Sequence, residues 1–492
     1  MEETIQRTSL EGKRAYTPLF FSLGVLLIIL VILIAGMHFR HDPTNTDLWV
    51  HLTSGKIIYE NKELPTQEIL TYTRQGQPWS MHEWLYQLFL YTSYIHIGMT
   101  GILFVNTILI LFSFALLFIY FKERFYLAIG VLVLLSYLLL ISSNIRPHII
   151  SWIFLLLTFL SIKQKKEWFL PVLFLFWGNI HPLHLVGLTI SFIYLSITFF
   201  YTKEKKLLWI LLLSIITSTI NPSGIKTFLI PFVISFEHIN EWQPFSPYGQ
   251  YFWLYTTFVL IGAYSFFRKK DFTLKSSGAD CLTFILLVIL GYSSRRHVAQ
   301  FFIIGLPIIF SNLHDLFDNN LFTIRTVKKN IGVSIILFIL LLFSLKYGEG
   351  FNPTFDWSKL PLEEVELIQT YNITGNIFNN YAYGSFLEFY LYPHNLVYID
   401  SRAETMGQDL LNEYYDLGTK RKNDIFSVLA RDNVTIVIVR HVMGNSNLLL
   451  NDPQWKLIYL DGVRASFVLR TNETEQVPEL DLEHNPYVTL PN

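Results

Sequence analysis

Long apolar stretches, cut at intervals by short basic clusters, constrain this chain more than any other feature. Runs at 18–38, 99–121, 125–142, 147–162, 168–180, 185–201, 207–220, 252–267, 280–294, 298–312 and 331–345 carry almost no charge. A helix needs roughly 20 apolar residues to cross a hydrocarbon core of about 30 Å, so the pattern predicts about eleven crossings. At 52% hydrophobic and 15% charged residues, the chain falls in the polytopic membrane class. Its mean hydropathy of +0.38 is too low for a chain that is membrane throughout, so a sizeable water-soluble part is expected. The net charge of -1 gives no sign of nucleic-acid binding. Cys281, the single cysteine, permits neither a disulfide framework nor a cysteine-based metal site. The first run is too long for a signal-peptide core and lacks a clear small-residue cleavage site; it reads as a retained helix.

Charge sets the expected topology. Lys13/Arg14, Lys122/Arg124, Lys163/Lys165/Lys166, Lys203/Lys205/Lys206, Arg268/Lys269/Lys270 and Arg325/Lys328/Lys329 all fall on one side if two weaker apolar pieces do not cross. Those pieces are Trp84–Gly98, which suits a helix lying along the interface, and Ile225–Phe236, short and interrupted by Pro231. The basic side is the cytoplasmic one, which places the N-terminus inside and the C-terminus outside a multi-pass protein of the cell membrane. The chemically rich punctuations then all face outward. They are Asn144 to His148 with Arg146, Asn179 to His184 with His181, Asn221 to Gly224 followed by Lys226, Glu237 to Trp242 with Glu241, and Arg295-Arg296-His297.

The densest of these outer segments runs from Arg40 to Trp84, inside a first outer loop of 39–98. It holds Asp42, Asp47, His41, His51, His82 and Glu83, directly after an apolar run and His38. A helix starting near Thr46 puts Asp47 and His51 on one face, four residues apart. Such acid–base chemistry at the end of a membrane helix marks a candidate site. The plain alternative is a solvated juxtamembrane loop with histidines at headgroup level.

From about Gly348 the long apolar runs stop. The expected division is a transmembrane part at 1–347 and an extracytoplasmic α/β domain at 348–492. Leu396–Asp400, Val434–Val439, Lys456–Asp461 and Ala465–Leu469 read as strands; 361–371, 383–391, 406–417 and 421–431 read as helical. Asp400-Ser-Arg402-Ala-Glu404, just past a strand end, is either a ligand site or a salt-bridged turn. Asn372, Asn433 and Asn472 head N-x-T sequons.

A membrane helix leading into a long outer loop with an early aspartate, followed by many helices and an outer domain, resembles the GT-C superfamily of glycosyltransferases. The resemblance rests on Asp47-Leu-Trp49-Val-His51-Leu with Gly55, on His82-Glu83-Trp84-Leu85, and on Arg146-Pro147, Asn179-Ile-His181, Asn221-Pro222, Arg296-His297 and Asp400-Ser-Arg402. These motifs are similar to those of a group of bacterial GT-C-like proteins. The resemblance implies a polyprenyl-phosphate-linked sugar donor, an acceptor arriving from outside, and contact with membrane lipids. It further implies a carboxylate base and cations for the leaving phosphate. Asp47 or Asp42 suits the base, with His51 and Glu83 beside it; which aspartate serves stays open. Arg295, Arg296 and His297 suit the phosphate, with Arg146 and Lys226 in reserve. A divalent metal on the histidine-rich outer face is a further option, with His181 and His184 as ligands; nothing in the sequence requires one. The competing classes are a transporter or flippase of a lipid-linked molecule and a non-catalytic scaffold or receptor.

Overall fold

A computed structural model describes residues 46–121, 144–232, 243–249, 252–269, 271–313, 357–419, 424–440 and 445–480. The membrane part contains α1 (Thr46–Asn61), α2 (Trp84–Phe121), α3 (His148–Lys163), α4 (Leu170–Trp177), α5 (His184–Thr202), α6 (Lys205–Ser218), α7 (Phe252–Arg268) and α8 (Leu274–Ser293). A 3-10 turn at Arg295–His297 leads through a π-helical turn at Phe301–Gly305 into α9 (Leu306–Asn312).

The expected number of crossings is not reproduced. Among the described residues three helices are long and apolar enough to cross a membrane: Trp84–Leu117, His184–Thr202 and Leu274–Ser293. The runs at 18–38, 125–142 and 331–345 lie outside the described residues. Several others form helices that are short for a bilayer, such as the 14 residues of α6 and the 16 of α3. Polar turns at Asn179–Leu183 and Asn221–Gly224 cut the apolar runs short, because a proline in each removes a backbone donor. The outer surfaces of these helices remain apolar, with Phe192, Phe200, Trp209, Leu260 and Ile289 all more than half exposed. Such a surface belongs in lipid. The Trp84–Gly98 piece is continuous with the next run but is broken from it at Gly98, where φ is 67° and ψ is -174°. That left-handed φ is open to glycine at little cost and ends the helical ladder at the boundary drawn from sequence.

The C-terminal domain is a mixed five-stranded sheet with helices. Its elements are α10 (Leu362–Thr370), β1 (Gly375–Asn379), α11 (Gly384–Leu391), β2 (Asn395–Val397), α12 (Ala403–Thr419), α13 (Ile425–Arg431), β3 (Val434–Arg440), α14 (Asn445–Leu450), β4 (Trp455–Leu460) and β5 (Arg464–Leu469). The strand order is β2-β1-β3-β5-β4, with β2-β1-β3 parallel and the β5 and β4 pairings antiparallel. The sequence reading missed β1. Its Gly-Asn-Ile-Phe-Asn composition has low strand propensity, and its place between two parallel partners overrides that.

The loop between α1 and α2 is built into this domain. Thr71 bridges Val397 in parallel, extending the sheet beyond β2, and Leu70 O and Tyr72 N exchange hydrogen bonds with Val397. A single apolar cluster joins Leu48, Trp49 and Leu52 of α1 and Tyr86 and Leu90 of α2 to Phe386, Leu387, Ile436 and Val468 of the domain. Fully buried Trp49 meets the Phe386 ring edge-on at 4.8 Å. Burying side chains of this size stabilises by about 1.5–3 kcal/mol each. That shared core fixes the domain against the mouth of the helical platform.

Candidate functional site

Helix α1 carries Asp47 in its first turn, where the helix dipole favours a negative charge, and His51 one turn later. It packs closely against α2: a Cβ on Gly55 would stand 2.1 Å from Gln87 O, so only glycine permits the approach. Pro147, with φ of -64°, starts α3 and leaves Arg146 in the turn before it. Arg146 Nε lies 2.8 Å from Asp47 Oδ2. The turn between α4 and α5 is clamped by Asn179, which accepts from the Trp84 indole at 2.7 Å and donates to Leu175 O and Ile220 O. That clamp sets His181 beside the loop end that carries Glu83.

Glu83 is the hub. His51 Nδ1, His82 Nε2 and His181 Nε2 stand 3.8, 3.9 and 3.7 Å from its oxygens, within electrostatic range but longer than hydrogen bonds. Arg296 Nη2 lies 3.2 Å from His181 Nε2. The structure therefore brings Asp47, His51, His82, Glu83, Arg146, His181 and Arg296 into one cluster, from segments up to 249 positions apart (Arg296 against Asp47).

The two carboxylates differ in acidity. Burial pushes Asp47 upward, but Arg146, with His51 and Arg296 behind it, outweighs that and holds the carboxyl below its ordinary value. Burial pushes Glu83 up to about 7; Glu404 and Asp47 add to the shift, against His82 and Arg296. Burial drives His51 down to about 4 despite the Asp47 charge, so at neutral pH its imidazole is uncharged. His181 is likewise held well below its usual value by burial and then by Arg296. Leu183 N donates to His181 Nδ1 at 3.2 Å, while the ring's Nε2 stands between Arg296 Nη2 and the Glu83 carboxylate.

Other sequence candidates lie elsewhere. Arg295 is exposed, and His297, half-buried beside Arg296, is pushed down to about 4 by burial. Lys226 is exposed on the 3-10 segment Gly224–Phe232. Asn221 caps the end of α6, donating to Ser218 O and accepting from Ser223 N. His184 is buried with Nδ1 3.1 Å from His181 O. Among the described residues no group of three or more His, Cys, Asp or Glu side chains is arranged to hold a metal ion. Asp42 and Glu241 fall outside the described residues.

Asp400 and Arg402 are sealed inside the C-terminal domain. Arg402 bonds Glu68 of the first loop through both terminal nitrogens, at 2.6 and 2.9 Å, reaches Asp400 through Nε at 2.9 Å, and lies 4.4 Å above the Trp79 ring. Asp400, Glu68 and Glu388 are fully buried there. Two residues of this domain that sequence reasoning did not assign to the site are electrically linked to it: burial and then the charge of Asp47 oppose ionisation of Tyr381, and Glu404 adds to the upward shift of Glu83. No local signal marks Tyr381, since only the docking of the domain brings it near.

The fold is thus a helical platform with a long loop carrying an early aspartate and an α/β domain seated on that loop. Among solved structures, the apo crystal structure of the Archaeoglobus fulgidus oligosaccharyltransferase matches 93% of this chain and 75% of its own, with a TM-score of 0.59 and 11% identity. At that identity the likeness is one of fold. No family model and no curated protein matches the chain.

Proposed function

We propose that this chain is an integral-membrane glycosyltransferase that moves a sugar from a polyprenyl-phosphate donor to an acceptor at the outer face. The observation that carries the reading is the convergence, in a GT-C-like fold, of two carboxylates of unlike acidity with two arginines. In this reading the acceptor hydroxyl oxygen bonds to the anomeric carbon as the bond from that carbon to the phosphate oxygen breaks. The hydroxyl proton passes to a carboxylate, and the electron pair leaves with the lipid phosphate, whose charge Arg146 and Arg296 stabilise. Between the two carboxylates, Glu83 is the better base at neutral pH. Its affinity for a proton lies near the working pH, whereas the Asp47 carboxylate is already engaged by Arg146. Asp47 then orients the acceptor beside it, and His51, uncharged at neutral pH, and His181 flank the proton path.

Mass spectrometry of lipid-linked sugars and surface glycans in a deletion strain tests the reading. Accumulation of an unconsumed lipid-linked sugar with loss of one surface glycan is expected; an unchanged profile of both removes it. Sidedness is checked separately with an impermeant thiol reagent on intact cells carrying single introduced cysteines. T44C and N472C should label and K165C should not, and the reverse pattern inverts the topology.

A further inference from the structure

Away from the mouth, a cleft of about 580 Å³ lies between the loop joining α1 to α2 and the α12–α13 side of the C-terminal domain. Tyr72 and Arg74 come from the loop, Asp409 and Glu413 from α12, and Arg431 and Asp432 from the end of α13. Its size suits a small molecule or a short oligomer. Leu410 is the one aliphatic side chain among the lining residues, so the cleft is not built for lipid. Its charges are already paired. Arg431 forks Asp432 through Nε at 2.7 Å and Nη2 at 2.8 Å and reaches Glu413 through Nη1 at 2.8 Å. Arg74 donates to Met406 O at 2.7 Å and to Asp409 at 2.6 Å. A guanidinium has five N–H donors and a carboxylate about four acceptor positions, so these pairs leave capacity unspent on both sides. Half of the Arg431 side chain and 77% of that of Asp409 are exposed, which keeps such groups accessible.

That arrangement selects a ligand class. A cation must displace an arginine to bind, and an anion meets carboxylates on entry. A neutral polyhydroxyl ligand does neither: its hydroxyls donate to the carboxylates and accept from the guanidiniums while every pair stays intact. Tyr72 adds an aromatic ring for the C–H face of a sugar. Its hydroxyl is buried without a hydrogen-bond partner, within electrostatic reach of Asp432, Arg431 and Glu413. The cleft is also joined to the mouth. Glu404, in the first turn of α12, acts on Glu83, and Asp409 and Glu413 follow about 8 and 14 Å further along the helix, past a bend at Gly407.

We propose that this cleft is a subsite for a neutral glycan, gripped by the Arg431–Asp432–Glu413 and Arg74–Asp409 pairs against the Tyr72 ring. This deepens the glycosyltransferase reading, and rests on it only in making that glycan the acceptor, held along α12 with one end toward Glu83.

Saturation-transfer NMR on the full chain in nanodiscs of neutral lipid tests the subsite directly. The probes are maltohexaose, cellohexaose, mannohexaose and chitohexaose, with hexalysine as a cationic peptide. At least one hexasaccharide should bind, with an affinity that changes little with salt because no net charge is neutralised. The double variant Arg431→Gln/Asp432→Asn, which replaces the ionic fork by amides, should weaken that binding about tenfold. Its fold should hold, since exposed ion pairs of this kind add little stability. Asp409→Asn, at the most exposed acid of the cleft, is the second variant should the double one not fold, and should weaken binding in the same direction. Failure of all four hexasaccharides to bind overturns the proposal, and so does binding that both folded variants retain in full. Tighter binding of hexalysine than of any sugar, lost in Asp409→Asn and in high salt, makes the cleft a site for basic peptides and overturns it as well. No turnover is read. Cleft-dependent glycan binding by a chain whose deletion leaves surface glycans unchanged therefore sinks the transferase reading and leaves the subsite standing.

Discussion

Two clusters of acids and arginines lie in this molecule, one at the platform mouth and one inside the outer domain, and their fates differ. At the mouth Asp47 and Glu83 face Arg146 and Arg296, with 31% and 15% of the acid side chains still exposed and most contacts longer than hydrogen bonds. Inside the domain a single arginine, Arg402, gathers three acids, none with any exposed side-chain surface, and two of them hold it at hydrogen-bond distance. Glu68 there also accepts from Leu70 N at 2.7 Å and Thr71 N at 2.9 Å. Sealed from solvent, with Arg402 bonded to Glu68 and Asp400, that cluster ties the first loop to the domain and offers nothing to a substrate. The mouth keeps its charges near one another without exhausting their hydrogen-bonding capacity, which is what a reacting group needs. The same residue types thus build a rivet in one place and a candidate site in the other, and burial with bond count tells them apart.

The sharpest break of that comparison is Glu83→Gln, which keeps the shape of the mouth and removes its best base. Turnover should fall by about 10²–10⁴ with the fold intact. In the parent, turnover should rise as pH climbs through about 7, where Glu83 loses its proton, and the variant should lack that limb. The sign for stability is opposite. The unfolded chain releases this proton at lower pH, so the raised value removes stability as pH rises toward 7. Retained activity in Glu83→Gln would move the base to Asp47 or Asp42.

Arg402→Met tests the other cluster. It strands buried carboxylates and should cost about 3–5 kcal/mol, read as loss of folded protein on thermal unfolding in detergent. A folded variant with normal stability but no activity would make Arg402 part of the site after all. Gly55→Ala sharpens the picture from the side of packing. Its methyl meets Gln87 O at 2.1 Å and should force α1 from α2 at about 1–3 kcal/mol. Since α1 carries Asp47 and His51, activity should drop more than stability.

The smallest effect is expected at Glu388. Burial, then the Asp400 charge, pushes its carboxyl well above the ordinary value against the pull of Arg402, whose nearest nitrogen stands 3.7 Å away. Glu388→Gln resembles the protonated form that this burial favours and should change stability by less than about 1 kcal/mol. Glu68→Gln, losing a charged two-point bond to Arg402, should cost clearly more. Equal losses in the two variants would mean that Glu388 is ionised and shares the cation.

Much of this molecule is written in its sequence. The uncharged apolar runs and the alternating strand patterns late in the chain point to apolar helices followed by a C-terminal region with a sheet, and the structure has both. Those signals are local, set by burial in lipid or on one face of a sheet. The mouth was partly legible for the same reason: Asp47 and His51 share a helix face four residues apart, and the polar punctuations stood out against apolar surroundings. What no local pattern carries is company. Only the folded chain decides that Arg146 meets Asp47, that Glu68 is spent on Arg402 334 positions away, and that Tyr381 and Glu404 come within electrostatic reach of the mouth. Those pairings are made by the apolar cluster that seats the outer domain on α1 and α2, a long-range packing event. The acidity of Glu83 follows from it as well, because burial and neighbouring charge belong to the tertiary structure and not to the residue.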